Sequence, residues 1–203
     1  MLPRDRGTIV QVGSALAYRG IPLQSGYCGA KHALQGFLDS LRTELIHDGS
    51  GIRVTSVHLP ALNTPQFSWG RAKTARAPQP VPPIFQPEVA AEAIVWAASN
   101  PRRELWVGWP TVQAIVGDKL APALLDRRLA RRAYDDQLRD EPASAKRPDN
   151  LFEPAAGDFA AHGPFDERAR SRSWQLWLTT SRGRLAVGAT ALAAAALASR
   201  RRD

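Results

Sequence analysis

Strand-like and helix-like stretches alternate in a way that predicts an α/β fold built on a parallel sheet, and three stretches carry that reading. Gly7-Thr8-Ile9-Val10-Gln11-Val12-Gly13-Ser14 is a short β-branched run that ends at glycine and serine, as a buried strand does. Tyr27 to His47 places Ala30, Ala33, Leu34, Phe37, Leu38, Leu41 and Leu45 at the 3.6-residue period of an amphipathic helix. Ser25 is its expected N-cap, and Asp48-Gly49-Ser50-Gly51 stops it. Ile52 to Leu59 is a second β-rich run, so strand, helix and strand form a unit of the parallel crossover type.

The rest of the chain divides by composition. Residues 62 to 87 are rich in proline and carry Phe67, Trp69 and Phe85, which suits either a lid over an apolar substrate or a loop pinned to the core by its aromatic rings. Pro87-Glu88-Val89-Ala90 opens a helix that runs through Ser99, and Glu104 to Gly108 reads as a last, short strand. Leu120 to Leu138 is an Arg-rich helix with Leu124, Leu125, Leu129 and Leu138 on or near one face, a packing or dimer surface. Residues 140–172 read as a linker broken by Pro142, Pro148, Pro154, Gly157, Gly163 and Pro164. The expected organisation is therefore a sheet-bearing body over residues 1–118, an extension helix over 119–139, the linker, and a basic, apolar tail helix over 173–203.

The chemistry concentrates at Tyr27-Cys28-Gly29-Ala30-Lys31. Residues four apart share a helix face, which brings a phenol and an ammonium together. A phenol of ordinary pKa, about 10, transfers protons poorly at neutral pH, and an adjacent cation favours its ionised form. Ser14, thirteen residues before Tyr27, would hydrogen-bond the same substrate oxygen and steady its developing charge. With this spacing the chain resembles the short-chain dehydrogenase/reductase family, whose Ser, Tyr and Lys fall on Ser14, Tyr27 and Lys31.

That resemblance continues at Pro60-Ala61-Leu62-Asn63-Thr64. In the family a Pro-Gly loop followed by threonine holds the nicotinamide carboxamide and phosphates, a role that falls on Pro60, Leu62 and Thr64 alongside Tyr27 and Lys31. Ala61 stands where the family has glycine, so either the loop takes an ordinary conformation or the cofactor sits slightly differently. The implied fold is a partial Rossmann-like, doubly wound parallel sheet with a helical C-terminal extension. The implied activity is NAD(P)-dependent oxidation or reduction of an alcohol or carbonyl, with NAD or NADP as cofactor. No G-x-x-x-G-x-G turn, the family's pyrophosphate cradle, precedes Ser14. Residues 1–203 therefore read as the C-terminal half of such an enzyme, truncated, with a bare sheet edge at Thr8 to Val12 and no turnover alone. A non-catalytic remnant serving as an interaction module is the alternative.

Composition sets the remaining bounds. The chain is 44% hydrophobic and 23% charged, ordinary for a folded domain. One cysteine excludes an internal disulfide and a Cys-based zinc cluster, which suits a reducing, cytoplasmic setting, and Cys28 reads as a small helix residue without a chemical role. His32, His47, His58 and His162 lack metal-ligand spacing and read as structural or solvent-facing; no metal is expected. The net charge of +8 is uneven, with 19 basic against 18 acidic residues up to position 167 and eight Arg against one Asp beyond it. Trp174, Trp177, Arg182, Arg184, the apolar run Leu185 to Ala198 and Arg200-Arg201-Arg202 suit either a helix lying on the inner face of an anionic membrane or a soluble Ala-rich helix or disordered tail. Fourteen apolar residues fall short of the roughly 20 needed to span a bilayer. The expected partners are thus a small alcohol or carbonyl substrate, a second copy of the chain and a membrane surface, with no nucleic acid.

Overall fold

The computed structural model describes residues 1–144, 147, 149–183, 186 and 190. In chain order they form β1 (Gly7–Ser14), α1 (Ser25–His47), β2 (Ile52–Leu59), α2 (Gln66–Trp69), β3 (Arg76–Pro78), β4 (Ile84–Phe85), α3 (Pro87–Ser99), β5 (Glu104–Trp106), α4 (Trp109–Leu120), α5 (Pro122–Asp136), β6 (Leu138–Pro142), β7 (Ala169–Arg170) and α6 (Trp174–Thr180). The expected body, α/β with a parallel sheet, is present. Strands β1, β2 and β5 pair in parallel in the order β1-β2-β5, with Ile9 opposite Val54 and Val57 opposite both Val12 and Leu105.

Strand β2 sits centrally and is buried on both faces, as its near-continuous β-branched sequence requires. Val57 and Leu59 pack with Val89, Ala90, Ala93 and Ala97 of α3, Leu105 and Val107 of the β5 segment, Phe85 and Leu176 in one apolar core. Ser56 points to the opposite face, where Arg42 of α1 reaches it at 2.7 Å. The two helices therefore clothe opposite sides of the sheet. Arg42 is itself buried, and its charge is tolerated because Asp39, Ser56 and the Arg103 carbonyl all accept from it.

Several sequence expectations shift. Helix α1 starts at Ser25 with Gln24 at the cap position and no side-chain cap bond, so Ser25 is not the N-cap. Cys28, Leu38 and Arg42 form its buried line, while Ala30, Ala33 and Phe37 face outward. The Arg-rich helix is shorter than expected: α4 and α5 break at Ala121-Pro122, because proline lacks the amide that would continue the helix. Leu125, Leu129 and Ala133 face inward from α5, and Leu124 is exposed.

Residues read as a linker are instead packed. Strand β6 pairs antiparallel with β3, and β7 pairs in parallel with β4. Phe165 is buried, with its ring edge-on to Phe67 at 5.9 Å between centroids. The aromatic rings of the 62–87 segment likewise pin it: Phe85 joins the core and Trp69 meets Phe159 edge-on. Only the start of the expected tail helix, α6, is described in full; Leu185 and most of the run to Arg202 lie outside the described residues. Among the described residues no helix is long and apolar enough to cross a membrane.

Candidate active site

Strand β1 delivers Ser14 at its C-terminal end, the end at which parallel α/β sheets gather their ligands. The Ser14 side chain is almost fully buried, and its hydroxyl accepts from the Leu16 amide at 3.1 Å, capping a short 3-10 turn over Ala15–Ala17. A hydroxyl holds one proton and two lone pairs, so accepting there leaves the Ser14 proton available for donation.

Helix α1 presents Tyr27 and Lys31 on one face. The Lys31 ammonium lies 5.6 Å from the centroid of the Tyr27 ring and donates to the Val12 carbonyl of β1 at 3.2 Å. Lys31 is thereby tied to the strand that carries Ser14, two residues before it. Tyr27 is 45% exposed, so its hydroxyl is reachable from solvent. Cys28 is buried in the same turn.

The loop between Ser14 and Tyr27 is braced from afar. Arg19 forms an ion pair with Asp118 of α4 at 3.0 Å and a second with Asp126 of α5. Gln24 donates to Gln137, and Gln137 donates in turn to the carbonyls of Pro22 and Ala133. Helices α4 and α5 thus help position the Tyr27 turn, through contacts 99 to 115 residues apart that no local sequence pattern signals.

His58, read from the sequence as structural or solvent-facing, is buried and packs directly beside Ser14. Its Nδ1 lies 3.1 Å from the Ser14 carbonyl. A carbonyl only accepts, so Nδ1 carries the proton, and the buried Nε2 has no partner among the described residues. The ring meets Tyr18 edge-on at 5.0 Å. Burial holds the imidazole below its ordinary pKa, so the ring is neutral at physiological pH. Burial and the neighbouring Glu104 push the Tyr18 phenol up. For Glu104 burial acts in the raising direction, but donors from Tyr18 and from Trp106 Nε1 at 2.9 Å outweigh it and hold the carboxyl below its usual range.

The loop after β2 takes an ordinary conformation: Ala61 is not among the residues with positive φ, which resolves the question raised by the missing glycine. Pro60 lies near Gly108, where a side chain on that glycine would approach the proline ring to 3.5 Å. Leu62 bridges to Phe85, the Phe85 amide donates to Ala61 O, and the Thr64 amide donates to Leu62 O at 3.1 Å. Asn63, which sequence reading did not single out, anchors the loop. It is fully buried, donates from Nδ2 to Gln86 and Asp166, and accepts from the Phe165 amide at 3.0 Å. Its polar atoms are all used within the protein.

These residues fit one end of a dinucleotide. Lys31, Tyr27 and the Pro60-to-Thr64 loop offer donors for a nicotinamide and its ribose, whereas no Gly-rich strand-to-helix turn for a pyrophosphate occurs in this sequence. No group of three or more His, Cys, Asp or Glu able to hold a metal occurs among the described residues.

A model of the short chain dehydrogenase family matches residues 1–74, which include β1, α1, β2 and the loop after it. The uncharacterized oxidoreductase YxnA of Bacillus subtilis is 30% identical over 169 residues, covering 83% of this chain and 46% of that protein. Human dehydrogenase/reductase SDR family member 7 is 53% identical over 45 residues, 22% of this chain and 13% of that protein. A short chain dehydrogenase from Burkholderia cenocepacia, solved with NADP, superposes with a TM-score of 0.51 at 23% identity, covering 63% of this chain and 49% of that one. The chain thus spans about half or less of the length of these proteins. On the family match and its relatives, the chain belongs to the short-chain dehydrogenase/reductase family.

Proposed function

We propose that this chain carries the proton-transfer half of an NAD(P)-dependent oxidoreductase acting on an alcohol or carbonyl. The observation that carries the proposal is the joint placement of Tyr27 and Lys31, with the ammonium 5.6 Å from the ring and tied to the strand that bears Ser14. Tyr27 exchanges a proton with the substrate oxygen. Ser14 donates its free hydroxyl proton to that same oxygen, and Lys31 keeps positive charge beside the phenol and binds the ribose. Pro60, Leu62 and Thr64 line the nicotinamide end. NAD or NADP, when bound, supplies or accepts the hydride. Residues 1–203 contribute no pyrophosphate turn, so the purified chain is expected to show no NAD(P)H-dependent turnover.

The test uses residues 1–203 joined to a Gly-rich nucleotide-binding half of the family, assayed for NAD(P)H consumption against a panel of ketones and aldehydes. Tyr27→Phe removes only the transferable proton, so turnover should fall by about 10²- to 10⁴-fold with cofactor affinity nearly unchanged. Lys31→Ala should weaken cofactor binding and rate together. Unchanged turnover in Tyr27→Phe would overturn the assignment.

Two observations favour partners beyond the substrate. Ala30, Ala33 and Phe37 form an outward stripe on α1, which supports a second copy of the chain as a partner. Trp174 and Trp177 are exposed on α6 just before the basic tail, which supports contact of residues 173–203 with a membrane surface.

A further inference from the structure

We propose that a basic cleft beside β5, separate from the proton-transfer residues, is a binding site for a phosphate-type oxyanion held by Arg102, Lys119 and Arg182. The cleft is shallow and open to solvent, about 940 Å³ between the end of α3, the loop into β5, the end of α4 and the turn after α6. Neither Ser14, Tyr27 nor Lys31 lines it.

Its wall is rigid. The Arg102 amide donates to Thr55 Oγ1 at 3.0 Å, and the Arg103 carbonyl accepts from both the Ser56 amide and Arg42. The Arg102 guanidinium lies 4.4 Å over the Trp96 ring, and its buried Nε has no hydrogen-bond partner among the described residues. A buried charged donor left without an acceptor is costly, and an anion in the cleft would remove that cost. Lys119 Nζ lies 5.5 Å from the Tyr18 ring centroid.

Charge in the cleft is not balanced internally. Among the described residues none of Arg102, Lys119 and Arg182 has a carboxylate within ion-pair distance. Arg103, on the same wall, is by contrast paired with Asp39 at 2.6 Å. The one acid on the lining, Glu104, is committed to Trp106 Nε1 and to Gln35. The carbonyl ends of α3 and α4 supply roughly half a negative charge each, which offsets part of three cations. Burial and the proximity of Arg182 both lower the Arg102 pKa, the mark of like charges held together without a counter-ion. Two guanidiniums and an ammonium converging on one cleft suit a tetrahedral oxyanion with several acceptor atoms. That group could come from a soluble phosphate ester or from a phospholipid headgroup, since Arg182 also begins the basic tail.

The test is calorimetric titration of the full 203-residue chain with pyrophosphate, paired with sedimentation against vesicles of phosphatidylglycerol in phosphatidylcholine and of phosphatidylcholine alone. Pyrophosphate should bind, and Lys119→Gln and Arg102→Gln should each weaken it about tenfold, the scale of a charged hydrogen bond. Lys119→Arg should retain binding, and so should the tail variant Arg200→Gln/Arg201→Gln/Arg202→Gln. Lys119 is exposed at a helix end, so its glutamine variant tests the site even if Arg102→Gln fails to fold. Anionic vesicles captured by the wild type, released by pyrophosphate and lost in Lys119→Gln would identify a headgroup as the source. Pyrophosphate binding with vesicle capture indifferent to Lys119→Gln would identify a soluble phosphate. No pyrophosphate binding by the wild type, or equal binding by Lys119→Gln and Arg102→Gln, would overturn the proposal.

Discussion

At the end of β1 the His58 imidazole occupies the space that a side chain on Gly13 would need: a Cβ there would lie 2.9 Å from Nδ1. Glycine at this position lets the ring approach the strand and hold the Ser14 carbonyl, so one missing methyl group fixes the backbone that carries the serine. The arrangement has a pH signature. Burial lowers the folded-state pKa of His58, so the unfolded chain binds a proton that the folded chain refuses as pH falls. Its contribution to stability is complete above the ordinary imidazole value of about 6.5 and is lost progressively below it. Urea midpoints measured between pH 8 and pH 5 should therefore fall on the acid side, and His58→Gln, which titrates nowhere in that range, should flatten that part of the profile. An equally steep profile in the variant would assign the acid sensitivity elsewhere.

Secondary-structure elements separate into those fixed by their own sequence and those fixed by distant partners. Strands β1 and β2, helix α1 and helix α3 follow from β-branched runs, the 3.6-residue period and Pro87 at a helix start, and the structure places them where those patterns do. Ser14, Tyr27 and Lys31 could be read because their spacing is local. Segment 162–170 could not: its prolines and glycines signal a linker, yet it is held against the loop after β2 by Asn63, whose partners Gln86, Phe165 and Asp166 lie 23 to 103 residues away. Gly163 permits the approach, because a Cβ there would clash with the Thr64 carbonyl. His162 adds a clasp, meeting Glu88 at 2.7 Å and Asp166 at 2.8 Å. Gln137 escaped notice, and the place of His58 beside Ser14 could not be read, for the same reason: their contacts are tertiary rather than with neighbours in sequence. Asn63→Ala strips the buried Phe165 amide of its acceptor, while Gln86 and the exposed Asp166 each lose a donor. It should cost about 2–3 kcal/mol, read from the denaturant midpoint, with amide exchange in 162–170 accelerating more than in β2. Uniform acceleration across both regions would mean that the segment is not held by Asn63.

The molecule as a whole has an asymmetric sheet. Strand β2 is paired on both sides, whereas among the described residues β1 has β2 on one side only and leaves Val12 40% exposed. A strand with one free edge offers unpaired backbone groups to any other strand, and β-branched residues along it make that contact favourable. The Val12 carbonyl is blunted locally, since Lys31 and the Gln11 amide both donate to it, but the edge from Thr8 to Val10 carries no charged side chain. Electrostatic repulsion gives little protection, because residues 1–167 hold 19 basic and 18 acidic groups and the excess charge lies beyond them. The purified chain should therefore associate as concentration rises, with light scattering growing and β1 amides becoming protected. Thr8→Lys places a strongly hydrated charge on the edge strand and should suppress that association while leaving the α1 and α3 contacts intact. If scattering persists in Thr8→Lys but disappears in Phe37→Lys, the copies meet through the outward stripe of α1 and not through the strand, and the edge is protected by Lys31 alone.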